Sequence, residues 1–401
     1  MHKAIVNFAA SIAAAVIFTS CTTPPQDTDG PRESLVVAGS LDPEFTPSWS
    51  SSGQRVLQYS RMTWAPGGGK VAASVLQGPY AIVVDEDHRQ ARFFQVSTRG
   101  SDLAVAWLSD SSALLVEGLD IGAGGEPRRT WYASRVNELR SLSGTRRRPE
   151  SVAARALRLP TGDQGFIAIE ATGVVGVDRA PPLVVRTADG TEQQHFDPFP
   201  ADGASRQVIA ADFQQAGGRV VMIAGVLRVT RPGGANSAGQ WIDPISGHDI
   251  EVVDVFSKKP LCRLTFDDAP AGVHAQSFDL HGVALSPDTK RFVINTLKGA
   301  TLYDVDGCRP LLRLRDDRDA GGASGRWISF SGDGRYVIRD GADVRSVGGG
   351  FLDIWRVADA QHVVHLDTDV HDALAVKPGT AEFAVGRADG RITFFRIQGG
   401  F

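Results

Sequence analysis

Helical signal is the first thing missing from this sequence. No segment much beyond a dozen residues carries the three-to-four-residue apolar repeat, bounded by caps, that an amphipathic helix needs. Glycine loops that cradle phosphate ahead of a helix are therefore missing too. Excess positive charge is also lacking: 42 Lys and Arg stand against 46 Asp and Glu, for a net charge of −4. That balance argues against a dedicated nucleic-acid binder, which must neutralise phosphates with a basic field. Lysine is scarce, 7 against 35 arginines, and this reads as base composition more than function. Only three cysteines occur in 401 residues, so the chain is no small disulfide-stapled scaffold. No Gly-x-Ser-x-Gly elbow is present, which removes the commonest serine-hydrolase signature. The Ser-x-Asp-x-Gly box of sialidases is missing as well, because Ser331-Gly332-Asp333-Gly334 has the wrong spacing.

What is abundant is glycine, at 44 residues, as turn-rich all-β chains require. One pattern recurs. A large apolar residue precedes a small polar pair, a turn of Asp, Gly, Ser or Pro, and a second apolar run. Copies begin at Trp64 (WAPGGGKVA), Trp107 (WLSDSSALL), Phe213 (FQQAGGRVV), Leu285 (LSPDTKRFV), Phe330 (FSGDGRYVI) and Val376 (VKPGTAEFA), with a further one at Trp49 (WSSSGQRVL). Each reads as strand, tight turn and strand. The distances Trp64–Trp107, Leu285–Phe330 and Phe330–Val376 are 43, 45 and 46 residues. A period in the forties with about four strands per unit is the signature of a β-propeller. The longer gaps accommodate a degenerate unit around Leu157–Phe196 and a unit carrying a loop-like insertion at about 230–249. Units starting near 64, 107, 157, 213, 285, 330 and 376 predict seven blades. The last unit shows only three strands, so its outer strand must come from Ser34–Ala38 or Arg55–Tyr59.

Ser286-Pro287-Asp288 and Gly332-Asp333-Gly334 resemble the turns of WD40-like and TolB-type propellers, and Leu352-Asp353-Ile354-Trp355 resembles the strand before the terminal dipeptide of a WD40 repeat, with Trp-Arg replacing Trp-Asp. The resemblance is architectural. It implies an all-β fold, a single propeller over residues 35–401, and specifies no ligand.

The N-terminus reads as a secretory signal. Lys3 supplies the positive charge, and Ala4–Phe18 is a 15-residue run interrupted only by Asn7 and Ser11. Thr19-Ser20-Cys21 resembles the bacterial lipobox, with Phe18 where leucine is usual. That resemblance implies removal of residues 1–20 and acylation of Cys21 on its thiol and amine; several acyl chains hold a protein where one is marginal. The alternative is an ordinary secretory signal and a free thiol. Thr22, standing where inner-membrane lipoproteins often carry Asp, favours the outer membrane, facing the periplasm. Residues 21–34 cannot bury surface and form a tether.

Cys262 and Cys308 remain. They lie 46 residues apart, close to one repeat, which places them on neighbouring blades. A disulfide and two separate thiols are both open on this evidence.

Weaker candidates read as architecture. His362, His365 and His371, with Asp367, Asp369 and Asp372, offer zinc-type donors but fit a solvated loop. Asp304-x-Asp306-Gly307 starts like a calcium loop, lacks the later acidic ligand, and fits a turn. Asp316-Asp317-Arg318-Asp319 fits a surface loop on the same grounds. Nine arginines between Arg128 and Arg158 face only Glu138 and Glu150; centred on Arg146, Arg147 and Arg148, they suggest a basic insertion at about 120–158 that could meet an anionic partner. No catalytic, cofactor or metal set is assigned. The expected function is a non-enzymatic protein-binding or scaffolding module, tethered to the membrane by its lipid, with envelope proteins and not nucleic acid as partners. The faces of the disc, more than its rim, should carry contacts. The alternative is a lactonase- or hydrolase-like enzyme holding a metal or small ligand in the central channel, for which His281 and Asp372 are scattered candidates.

Overall fold

The computed structural model describes residues 33–41, 59–75, 80–85, 90–95, 104–121, 127–135, 138–141, 151–170, 183–199, 205–231, 234–235, 241–242, 245–267, 280–296, 299–314, 323–343, 349–369, 371–387 and 390–399. They form seven four-stranded antiparallel sheets and one small hairpin, Gly234–Ala235 with Trp241–Ile242. Blades 1 to 6 run through residues 59–95, 105–141, 151–196, 205–267, 280–314 and 323–369. Each innermost strand touches the innermost strands of its two neighbours, and blade 7 touches blade 1, which closes the ring. The chain is a seven-bladed, WD40-like β-propeller.

Blade 7 takes His371–Val376, Glu382–Arg387 and Ile392–Gln398 from the C-terminal end of the chain and Ser34–Leu41 from the N-terminal end. Of the two expected closing strands, Ser34–Leu41 is the one used: Ser34 faces Gln398 and Leu41 faces Ile392. Tyr59 instead opens the innermost strand of blade 1, and the Trp49 copy lies outside the described residues.

Packing explains why the apolar strands read as continuous runs. Seven hydrophobic clusters fill the seven blade boundaries among the described residues. In Arg219–Arg231 of blade 4, Val220, Met222 and Ala224 meet blade 3, whereas Val221 and Ile223 meet blade 5. Successive side chains leave opposite faces, and both faces are buried. Each buried aliphatic or aromatic side chain contributes about 1.5–3 kcal/mol, so stability is spread around the ring.

Three sequence expectations need correction. The supposed basic insertion at 120–158 holds Pro127–Arg135 and Glu138–Ser141 of blade 2 and Ser151–Arg158 of blade 3. The arginine count masked a strand alternation there. Trp131 packs on Phe166 of blade 3, with ring centroids 5.0 Å apart, while the next residue, Tyr132, packs toward blade 1. The supposed loop at 230–249 begins in one strand of blade 4 and ends in the next, since Ile245–Asp254 is its third strand. A polar stretch can be a buried strand here because its charges are matched: fully buried Asp249 meets Arg263 at 2.7 Å, Arg228 at 3.2 Å and Arg206 at 3.5 Å. Finally, the tether expected to reach residue 34 ends earlier, because Glu33 is held by Tyr336 and Arg356.

Candidate functional site

Every blade begins at its innermost strand, so the turns leading from first to second strand all lie on one face of the disc. The same turn is repeated there. In blades 1, 2, 5 and 6, the residue after the large apolar anchor donates and accepts: Ala65 N to Lys70 O and Gly68 N to Ala65 O, Leu108 N to Ala113 O and Ser111 N to Leu108 O, Ser286 N to Arg291 O and Thr289 N to Ser286 O, Ser331 N to Tyr336 O and Gly334 N to Ser331 O, all at 2.8–2.9 Å. The fourth residue after the anchor is left-handed in each: Gly68 at φ 72°, Ser111 at 61°, Thr289 at 60° and Gly334 at 73°. Glycine takes that conformation without strain. In two blades a Ser-x-Asp pair braces the turn, with Ser286 Oγ donating to Asp288 at 2.5 Å and Ser331 Oγ to Asp333 at 2.6 Å.

Adjacent turns are also joined to each other. Gly67 N donates to Ser111 Oγ at 2.9 Å, between blades 1 and 2. Gln215 pairs with the backbone of Arg158 in both directions, at 2.7 and 2.8 Å, between blades 4 and 3. Asp333 N donates to Thr380 O at 3.0 Å and Gly379 N to Gly332 O at 3.1 Å, between blades 6 and 7. Lys377 of blade 7 lies 5.5 Å over the Trp64 ring of blade 1. The outward residues include Pro66, Asp110, Pro160, Asp163, Asp288, Lys290, Arg335 and Pro378, so the face carries both charge signs and several prolines.

Behind this face runs the central channel, a cavity of about 520 Å³ lined by innermost strands of all seven blades. Most of its wall is apolar or small, and its charges are Arg61, Arg155 and Asp212. Arg61 donates to Val152 O of blade 3. Arg155 donates to Phe213 O at 2.8 Å and stands 3.8 Å from Asp212. Asp212 in turn accepts from the amides of Phe213 and Leu285, each at 2.8 Å. Burial pushes the Asp212 carboxyl up and the Arg155 guanidinium down from their ordinary values, and each charge partly offsets the shift of the other. The volume suits a small ligand. The chemistry suits holding a polar or anionic group better than moving protons, because all three charges are already engaged.

The residues singled out in the sequence fall in different places. Cys262, on the outermost strand of blade 4, is joined to Cys308, in a turn of blade 5, with Cα atoms 5.5 Å apart. Asp304 caps a turn, accepting from the Asp306 amide and from Arg309 at 2.9 Å each. His281 stands on the innermost strand of blade 5 and Asp372 on that of blade 7. His362, His365 and Asp367 lie on the outermost strand of blade 6 and not in a loop. His362 and His365 both reach Asp353, which the sequence offered only as part of a strand motif. Cys21, Arg146, Arg147, Arg148 and Asp316–Asp319 lie outside the described residues.

No family model matches the chain, and no curated protein matches it. Among solved structures, the β-propeller domain of Cps50 (Swd1) from Myceliophteria thermophila is similar, with 14% identity and a TM-score of 0.55 over 87% of this chain and 99% of that one. At that identity the likeness carries the fold alone.

Proposed function

We propose that this propeller is a non-enzymatic protein-binding scaffold of the bacterial cell envelope, anchored through acylated Cys21, and that its turn-built face receives protein partners. The observation that carries the reading is the cross-linked set of repeated turns. A surface already fixed in the free protein loses little entropy on binding. Its mixed charge and prolines suit reversible contacts with other folded proteins more than burial in an obligate oligomer. Eleven residues separate Cys21 from Glu33, the first residue held by the propeller. Fully extended they span at most roughly 40 Å, which keeps the disc close to the membrane. Thr22 after the acylated cysteine favours the outer membrane, facing the periplasm. Arg146, Arg147 and Arg148 add a basic patch for an acidic partner or headgroup.

Metabolic labelling with palmitate tests the anchor. Label on the full chain, lost together with membrane association in Cys21→Ala, supports it; a soluble, unlabelled wild-type protein refutes it. A second reading rests on the channel, where Arg61, Arg155 and the raised Asp212 carboxyl could seat a small anionic ligand.

A further inference from the structure

Blade 6 holds a side-chain cluster with no part in the turn face or the channel. Its third strand is Gly349–Arg356 and its outermost strand His362–Asp369. Asp353 faces His365 across the pair, and Trp355 faces His362. Strict alternation would send His362 and His365 to opposite faces, since they are three residues apart. The register shifts between Ile354 and Trp355, which face Val364 and His362. The extra residue, Val363, resets the alternation and brings both imidazoles to the side of Asp353, as a β-bulge does when it re-aims a side chain.

The three groups converge closely. Oδ1 of Asp353 lies 3.0 Å from His362 Nε2 and 2.6 Å from His365 Nδ1. All three donor atoms lie within 4.8 Å of one another. The other nitrogen of His365, Nε2, is 3.1 Å from Asp367 Oδ1. Arg339 approaches the opposite carboxylate oxygen, Oδ2, at 3.8 Å, and lies over the rings of Phe351 and Trp355 at 5.1 and 5.5 Å. Asp353 is wholly buried, whereas His362 and His365 are 31% and 23% exposed. Burial pushes the Asp353 carboxyl up, but hydrogen bonds from His362 and His365 and the charge of Arg339 outweigh it and hold the group well below the usual carboxylate range.

We propose that Asp353, His362 and His365 bind one divalent transition-metal ion of the zinc class, through Oδ1, Nε2 and Nδ1, with solvent completing the shell. Two imidazoles and a carboxylate suit zinc, copper or nickel, whereas calcium and magnesium prefer oxygen alone. Coordination requires neutral rings with lone pairs on His362 Nε2 and His365 Nδ1; protons leaving those nitrogens pass to solvent. His365 then keeps its proton on Nε2, where Asp367 accepts it. That carboxylate–histidine–metal order fixes tautomer and ring angle in known sites. Arg339 stays on Oδ2 and leaves Oδ1 to the metal. The partly exposed histidines put the open coordination position at the rim, toward water.

The test uses the full chain stripped with chelator and titrated with zinc chloride by calorimetry, then with cobalt chloride by visible absorption. One ion per chain and ligand-field bands from cobalt are expected. The His362→Ala/His365→Ala double variant should abolish that uptake, and Asp367→Asn should weaken it by about 10–100-fold. No saturable uptake, or uptake unchanged in the double variant, overturns the proposal. Should the double variant not fold, diethylpyrocarbonate labelling of wild-type protein decides: zinc must protect His362 and His365, and equal labelling with and without zinc overturns the site.

Discussion

The hydroxyl of Tyr336 in blade 6 donates to the Glu33 carboxylate at 2.9 Å, across 303 positions of sequence. Glu33 immediately precedes the strand that closes the ring, and Arg356 reaches the same oxygen at 3.5 Å. The closing strand is thus fastened to blade 6 by the residue just before it, as well as along its length to blade 7. Removing the donor leaves a carboxylate that is 3% exposed short of a partner, which costs about 1–3 kcal/mol. Tyr336→Phe should therefore lower the thermal midpoint measurably, and an unchanged melt would show that Glu33 is not held there.

The same contact has a signature in base. Burial, then the hydrogen bond to Glu33 and its negative charge, push the Tyr336 hydroxyl up to about 12. Between the ordinary value near 10 and that value the folded state binds this proton and the unfolded state does not. Stability should therefore fall as pH rises through this window. Burial also raises the Tyr303 hydroxyl, so spectrophotometric titration should show more than one tyrosine ionising late, and Tyr336→Phe should remove the latest part of that step.

Acid should act in part through blade 7. Burial pushes the Glu382 carboxyl up, but Lys377 and Arg396 outweigh it and set it below its ordinary value. Lys377 Nζ is 2.7 Å from the carboxylate. A depressed carboxyl stabilises the fold above its unfolded value and loses that contribution as pH falls through the folded value. Thermal midpoints of wild type should drop as pH is lowered from about 5 toward 3, the carboxylate range. Glu382→Gln should start lower and respond less.

Cys262 and Cys308 tie blade 4 to blade 5 and enclose a loop of 46 residues. A loop of that length implies about 4 kcal/mol from restriction of the unfolded chain. Reduction, or Cys262→Ser with Cys308→Ser, should lower the denaturant midpoint, and the loss should concentrate in hydrogen exchange at the boundary of blades 4 and 5.

Much of the ring was legible because one local event repeats. An anchor, a polar pair and a left-handed turn residue recur at Trp64, Trp107, Leu285 and Phe330, and their spacing carries the blade number. The closing strand was legible as one of two choices, since a three-stranded last blade needs a fourth. Blades 2 to 4 were harder. Arginines hid the alternation of Trp131 and Tyr132, and the loop-like polar stretch at 230–249 gave no sign that its Asp249 meets Arg228 and Arg263 until strand pairing put them together. The Asp353 cluster was half visible, as histidines without their carboxylate. Its convergence depends on a one-residue bulge at Val363, which no periodic pattern announces.

The turn face has its own mutational probe. A Cβ on Gly332 would lie 1.9 Å from the Lys377 carbonyl oxygen, a backbone atom of the next blade. Gly332→Ala must therefore push apart the turns of blades 6 and 7, at a cost of about 1–3 kcal/mol. A variant that melts like wild type would mean that these turns are not in contact.

The central claim, that the turn-built face receives protein partners, is tested most directly by photo-crosslinking in the cell. A photoreactive residue is placed in the full chain at Pro66, Asp110, Asp288 or Arg335 on that face, and at Arg313 on the outermost strand of blade 5. The account predicts the same discrete protein adduct from several face positions and none from Arg313. Adducts from Arg313 alone, or no protein adduct from any face position, would contradict it.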